Sequence, residues 1–465
     1  MTNSQQYDAV VIGSGQGGTP LSAALARAGM RTVLIERKHI GGTCINEGCT
    51  PTKTMIASGR VAYLARRAAD FGVQTGPIRI DMAKVRQRKR DIVDNFRNSS
   101  QSNLEKTANL EMIFGEASFS GSKEVTVRMK DGSPRTISAK YIFIDAGTRA
   151  SRPNIEGLDS VPYLDNISIM ELDAVPEHLL IVGGGYIALE FGQLFRRLGS
   201  KVTIVQSAGQ LVTREDADVA EEITKILRED GIEILLNAKT TRVSRTGQHI
   251  QLDVESKKGE TKLLGSHLLV ATGRVPNSDT LNLAAAGIRA DKRGFIQVND
   301  RLETSAEGVF ALGDIKGGPA FTHISYDDFR IIRANLLEKR SASTKGRQVP
   351  YTLFTDPELG RIGLTESEAR AQGRKIRIAK LPMSHVARAL EVDETRGFMK
   401  AVVDAESNQI LGAAILGIGG GEVMSAVEIA MMGKLPYTAL RDGTFAHPTL
   451  AESLNNLFMA MDRES

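Results

Sequence analysis

Cysteine is almost missing from this chain: among 465 residues there are two, Cys44 and Cys49. A fold stapled by several disulfides is thereby excluded. Long apolar runs are missing too. None approaches the roughly 18 residues an ordinary membrane span needs, so no membrane partner is expected. The opening MTNSQQYDAVVIG lacks a basic segment followed by an apolar core and a small-residue cleavage site, so no secretory signal is expected and a cytoplasmic location is. Charge of one sign is also scarce, with 59 Lys and Arg against 55 Asp and Glu; a net charge of +4 at this length gives no argument for nucleic acid. What is present is ordinary for a folded protein, 41% hydrophobic and 25% charged, and the length calls for about three domains.

The two cysteines share one stretch, Gly41 to Lys53, GGTCINEGCTPTK. A reducing compartment seldom keeps a structural disulfide, so a pair separated by four residues reads as redox-active or metal-binding, or as two small buried hydrophobes. The setting favours chemistry: Gly41, Gly42 and Gly48 let backbone approach a ligand, and Pro51 suits the first turn of a helix.

Before this stretch, the strand Tyr7 to Ile12 runs into Gly13-Ser14-Gly15-Gln-Gly-Gly18, then a helical pattern, then a strand ending at Glu36. This is a dinucleotide fingerprint: glycines for the turn and phosphate approach, a helix N-terminus for the pyrophosphate, a carboxylate for the ribose. The pattern returns at His178 to Val182, Gly183-Gly-Gly185-Tyr186-Ile-Ala188, Glu190, and a strand ending before Gln206. Gly13 to Glu36 and Gly183 to Gln206 both span 23 positions, so the chain holds two such units of one construction. Each closes with a strand and a glycine turn, at Gly147 and at Gly273. Those distances are 134 and 90 positions; the surplus of 44 falls on the cysteine stretch and on helical patterns at 51–71 and 82–107.

Within the second of these, Arg86-Gln-Arg88-Lys89-Arg90 reads as a solvated helix face rather than a polyanion site. Short strands and turns follow over 279–313 and end on Gly313-Asp314, whose carboxylate suits a polyol hydroxyl or simply a turn. A helix opens at Phe321-Thr-His323, and 337–348 is a polar, basic linker. From Val349 on, five strands and three helices make a separate α+β domain, containing Phe445-Ala-His447-Pro-Thr-Leu-Ala-Glu452. That histidine is either structural or an acid/base oriented by the carboxylate five residues on.

In this order these motifs resemble the class I pyridine nucleotide-disulfide oxidoreductases, which include dihydrolipoamide dehydrogenase, glutathione reductase and mercuric reductase. The resemblance spans nearly the whole chain and implies an α/β fold: two Rossmann-like dinucleotide-binding domains plus a C-terminal α+β dimer-interface domain. It places FAD on residues 1–152 and 280–345, together with the redox disulfide, NADPH or NADH on 153–279, and dimerisation on 346–465. Cys49 then resembles the thiol beside the flavin and Cys44 the thiol that attacks substrate; Lys53 and Glu190 resemble the ion pair at the flavin, and Tyr186 the gate of the nicotinamide pocket. Gly13, Ser14, Gly15, Gly18, Glu36, Gly42, Thr43, Gly147 and Asp314 would hold FAD, with the backbone of Gly115, Glu116 and Ala117 at its adenine. Gly183, Gly185, Ala188, Gln206 and Gly273 would serve the nicotinamide nucleotide. His447 and Glu452 resemble the dyad that reaches the cysteines of the other subunit, so a homodimer is implied.

No metal site is expected, and no third cysteine ends the chain as in mercuric reductases. Arg388-Ala389 and Asp393-Glu-Thr-Arg396-Gly397-Phe398 look more like mercuric reductase than like dihydrolipoamide dehydrogenase, and FTHISYDDFR at 321–330 resembles a mercuric-reductase-like subgroup that includes reactive-chlorine-resistance enzymes. The expected function is an NAD(P)H-dependent flavoenzyme passing electrons through the cysteine pair to a small electrophile: a disulfide, an oxidised sulfur or oxidant species, or a metal ion. Dihydrolipoamide dehydrogenase, a true mercuric reductase and a non-enzymatic redox sensor are the alternatives. Gln206 followed by Ser207 offers neither a carboxylate for the NADH ribose nor an arginine for a 2′-phosphate, and the lack of negative charge favours NADPH.

Overall fold

The computed structural model describes residues 5–462; the outermost residues of the segments read above for a leader and for a terminal cysteine pair lie outside them. The chain forms two compact units, Met1–Thr54 with Lys84–Ser151 and Gly273–Arg347, and Met55–Ala83 with Arg152–Thr272 and Gln348–Ser465.

In the first unit Gln5–Ile12, polar at its start but apolar and buried from Ala9 on, pairs in parallel with Thr32–Glu36 on one side and with Pro134–Ile144 on the other. Leu110–Gly121 and Val309–Ala311 extend the parallel layer at its two edges. Such a strand, buried on both faces, belongs in the middle of a doubly wound sheet. Leu110–Gly121, Glu124–Met129 and Pro134–Ile144 also form an antiparallel meander, which the sequence reading did not foresee. Between Glu36 and that meander lie the short helix Gly42–Asn46, Cys49–Arg66 and Met82–Glu105, so the surplus is helical and sits where the spacing placed it.

The second unit repeats the opening. The strand His178–Val182, the helix Tyr186–Leu198 and the strand Lys201–Val205 form a parallel sheet completed by Glu233–Leu235 and His267–Val270. An antiparallel trio, Ala238–Thr246, His249–Ser256 and Gly259–Gly265, was likewise not anticipated. The C-terminal part is a five-stranded antiparallel sheet in the order Tyr351–Leu353, Glu358–Gly363, Ile410–Gly417, Phe398–Asp404, Ile376–Pro382, covered by Gly420–Met432 and Ser453–Met459 over a core that includes Met399, Ile415, Val427 and Phe458. The fold is therefore α/β with two Rossmann-like layers and an α+β C-terminal portion.

Two expectations need correction. The basic run is not wholly solvated, because Lys89 is buried and Arg88 donates to the carbonyl of Thr54 at 2.8 Å. The stretch 337–348 is irregular but anchored: Arg347 pairs at 2.6 Å with Asp328, a fully buried carboxylate. No helix among the described residues is long and apolar enough to cross a membrane.

Candidate active site

The two glycine turns share one backbone solution. Gly13 (φ +98°) donates to the carbonyl of Ile35 at 2.8 Å, and a Cβ on it would stand 2.3 Å from the carbonyl oxygen of Asp145. Gly183 (φ +116°) donates to that of Val205 at 2.9 Å, and its Cβ would stand 2.3 Å from the carbonyl oxygen of Ala271. Only glycine is compatible with both the dihedral and the contact. The helix Tyr186–Leu198 has no side-chain cap, so its N-terminus can face an anion, whereas Gly18–Arg27 begins with Gly18 donating to the carboxylate of Asp145 at 2.7 Å and Thr19 to the carbonyl of Gly15 at 3.0 Å.

In the first unit Glu36 accepts from the amide of Ser14 at 3.1 Å and from its hydroxyl at 2.7 Å, which fixes the carboxylate at the rim of the glycine turn. Gly42 touches the same turn: with φ +60°, its Cβ would lie 2.6 Å from the Cα of Gly15, and Gly41 donates to the carbonyl of Ser14 at 3.1 Å. The cysteine stretch is thus seated directly on the dinucleotide turn. Thr43 is exposed beside it.

Cys44 and Cys49 are free thiols, half-buried and exposed respectively, and they hydrogen-bond to each other. That bond, and then burial, push the Cys44 thiol well up, while Thr322 and the charge of Lys53 pull the other way. Lys53 stands in the first turns of the helix that Cys49 begins. Thr322, the first residue of the helix Thr322–Leu336, brings its hydroxyl to 3.4 Å from the Cys49 sulfur.

Asp314 opens a one-turn 3-10 helix, where it accepts from the Thr148 hydroxyl at 3.1 Å; burial pushes its carboxyl up against the opposing charge of Arg274. Gly147, with φ +64°, has open space where a Cβ would stand. Gly115, Glu116 and Ala117 lie in the meander opposite Met129, Arg128 and Val127, and Glu116 pairs with Arg128. A glycine turn with room for a phosphate to approach, a rim carboxylate and a buried acid beside a hydroxyl fit the pyrophosphate, ribose and polyol of FAD.

Three residues with evident roles here were missed. Asp145 is buried and accepts the amide of Gly18 at 2.7 Å; burial pushes its carboxyl far above the usual range, and Asp314 and Asp328 add to this against the Gly18 bond. Arg274 binds the hydroxyl and carbonyl of Thr148 at 2.8 and 2.7 Å, within electrostatic reach of Asp314, Glu47 and Cys49. Thr322 is the third. The signal for each lay in a quoted motif, the acid ending YIFID, the arginine of ATGR and the threonine of FTH.

In the second unit Gly185 has no atom within 4 Å of a Cβ position, Ala188 is buried, and Tyr186 is 38% exposed at the helix start. Glu190 is buried and accepts from the amide of Phe354 at 3.0 Å. Gln206 ends the adjacent strand with its amide on the carbonyl of Gln210 at 3.2 Å. Gly273, with φ +130°, belongs to the first unit, where its carbonyl accepts from Ser151 at 2.9 Å. His447 Nδ1 lies 2.9 Å from Glu452, so the carboxylate holds the ring and leaves Nε2 outward, on a side chain 69% exposed.

This combination defines a class. The chain belongs to the pyridine nucleotide-disulphide oxidoreductases: the model of that family matches residues 7–328, and that of the family's dimerisation domain matches residues 349–458. It is 39% identical over 457 residues to the probable pyridine nucleotide-disulfide oxidoreductase RclA of Escherichia coli (strain K12), covering 97% of this chain and 99% of that one. It is 34% identical over 460 residues to a mercuric reductase of Bacillus cereus, covering 98% and 72%. The solved structure of the HOCl-induced flavoprotein disulfide reductase RclA from Escherichia coli matches with a TM-score of 0.89 at 38% identity, over 97% of this chain and 99% of that one. The protein is accordingly a flavin-dependent oxidoreductase of the disulfide reductase family, with a nicotinamide nucleotide as donor.

Proposed function

We propose that this enzyme draws on NADPH and passes two electrons through Cys44 and Cys49 to a small oxidised-sulfur or oxidant acceptor. The observation that carries this reading is the contact of the two thiols with each other and with Thr322, on a segment packed against the first glycine turn. FAD, when bound, relays the electrons of a nicotinamide hydride to the cysteine disulfide. Gly13 to Gly18 and Glu36 would hold it, Asp314 would meet its polyol, and the surroundings of Gly115 to Ala117 would take the adenine. Gly183, Gly185, Ala188 and Gln206 would serve the nucleotide, with Tyr186 as its gate and Lys53 and Glu190 as charges at the flavin.

The raised Cys44 thiol keeps its proton, so attack on an acceptor requires a base. We assign that base to His447 of the partner subunit, which supports a homodimer built on residues 346–465 of each chain. The balance is simple: each turnover re-forms the Cys44 to Cys49 bond while the acceptor gains two electrons. A relative described as HOCl-induced favours an acceptor of the oxidant class. Gln206, with no carboxylate to repel a 2′-phosphate, favours NADPH.

Anaerobic titration with NADPH tests the reading. A long-wavelength thiolate-to-flavin band is expected, and a panel of disulfides, oxidants and metal ions then shows which acceptor discharges it. Acceptor reduction that persists in both Cys44→Ser and Cys49→Ser would overturn the proposal.

A further inference from the structure

Two helices of this chain finish on arginine pairs. Arg66 ends Cys49–Arg66 and is followed by Arg67, while Arg196 and Arg197 occupy the last turn of Tyr186–Leu198. Within the second unit all four line one cleft of about 660 Å³, together with Arg396 and Tyr63. A cation at a helix C-terminus is favourable by itself, so one such pair needs no ligand. Five guanidinium groups around one cavity do need counter-charge.

Three of them have it. Arg67 pairs with Asp393 and with Asp70, Arg197 with Asp356 and with Asp230 at 3.4 Å, and Arg396 with Asp230 at 2.7 Å and Glu394 at 2.6 Å. Arg66 and Arg196 make no ion pair among the described residues. Arg66 donates to the carbonyl of Arg197, and Arg196 to those of Asp230 at 2.9 Å and Ser200 at 3.4 Å. A guanidinium carries five N–H donors, so most of theirs are unspent. The one further acid on the cleft, Glu229, is shared with Lys225 at 4.0 Å. Arg197, whose side chain is 5% exposed, also has a buried Nε without a hydrogen-bond partner.

The aromatic wall does not offer a stacking face, because the Arg197 guanidinium lies 3.9 Å from the centre of the Tyr63 ring. Recognition here falls to the unspent N–H donors of Arg66 and Arg196, since the acids around the cleft already match its other guanidinium groups, and arginine rather than lysine is the residue that grips planar pairs of oxyanion oxygens. The volume exceeds that of a single tetrahedral anion and falls in the range of small-ligand sites.

We propose that this cleft binds a diphosphate group, either free pyrophosphate or the end of a nucleoside diphosphate, through Arg66 and Arg196. None of its lining residues belongs to the glycine turns or to the cysteine segment.

The test is titration calorimetry of the FAD-loaded enzyme at constant ionic strength, with NADP+ and NAD+ both saturating so that the nicotinamide nucleotide site is filled. Pyrophosphate is one titrant and ADP the other. One saturable event per chain is expected, weakened about tenfold by Arg66→Gln, on an exposed side chain, and roughly a hundredfold when Arg196→Gln is added. Flavin absorbance and the NADPH oxidation rate should be unchanged in both variants. Binding of pyrophosphate alone assigns the free anion, and binding of ADP as well assigns the nucleotide end; both support the site. No saturable heat from either titrant, or equal affinity in wild type and variants, overturns it.

Discussion

The carboxylate of Asp145 accepts the backbone N–H of Gly18 at 2.7 Å, and it is this side chain, as much as any phosphate, that the fingerprint glycines accommodate. A Cβ on Gly15 would stand 2.6 Å from Asp145 Oδ2, and one on Gly313 2.6 Å from Oδ1. Asp145→Ala leaves the Gly18 amide without that acceptor, at a cost of about 1 to 3 kcal/mol. The expected result is lower flavin content after gel filtration and a reduced Tm, with Asp145→Asn recovering most of both because an acceptor oxygen remains.

In the proposed mechanism His447 and Glu452 act on the acceptor side of turnover. His447→Ala is therefore expected to lower kcat/KM for the acceptor by roughly a hundredfold or more, in the range of lost acid/base catalysis. Flavin reduction by NADPH should be unaffected. Stopped-flow measurement of the two half-reactions separates them, and an equal loss in both would remove the dyad from the proposed role.

In the proposed mechanism Gln206 stands where a carboxylate would choose NADH. Gln206→Glu gives up the amide bond to Gln210 and places a negative charge beside the ribose. The ratio of kcat/KM for NADPH over NADH should fall by about tenfold, one charge-assisted hydrogen bond in size.

Lys400, buried in the second unit, holds Asp216, Asp218 and Glu366 at 3.2, 3.1 and 2.9 Å. Its hydrogen bond keeps the Glu366 carboxyl below the usual range, so the stabilisation is present at neutral pH and lost as pH falls through the lowered value. Lys400→Met should cost roughly 2 to 3 kcal/mol at pH 7.5, short of the full cost for a buried orphan because Asp218 and Glu366 are partly wet. The gap in Tm to wild type should start to narrow only at about pH 4, where ordinary carboxylates protonate, and close further below it.

Much of this was readable in the chain. Strand, glycine turn, helix and strand recur with period and spacing, which is why His178–Val182 and Lys201–Val205 fall where the sequence puts them. Of the two antiparallel trios, Gly259–Gly265 starts by alternating short side chains with charges and depends on its partner strand for definition, whereas Glu124–Met129 does carry a period-two pattern, Val125 and Val127 buried between polar residues, that was overlooked. Lys89 was misread for a related reason: a charge run shows its charges, while burial of one member is decided by what packs over the helix. Asp145 escaped because a single acid after an apolar strand resembles a turn residue until the glycines crowding its carboxylate are located.

The twin turns at Gly13 and Gly183 lean on a carbonyl, and a carbonyl is indifferent to the side chain of the residue that bears it. The position carrying that contact was thus free to diverge within one polypeptide, to Asp145 in one half and to Ala271 in the other. Ancestry is kept in the backbone, and specialisation is written one atom further out.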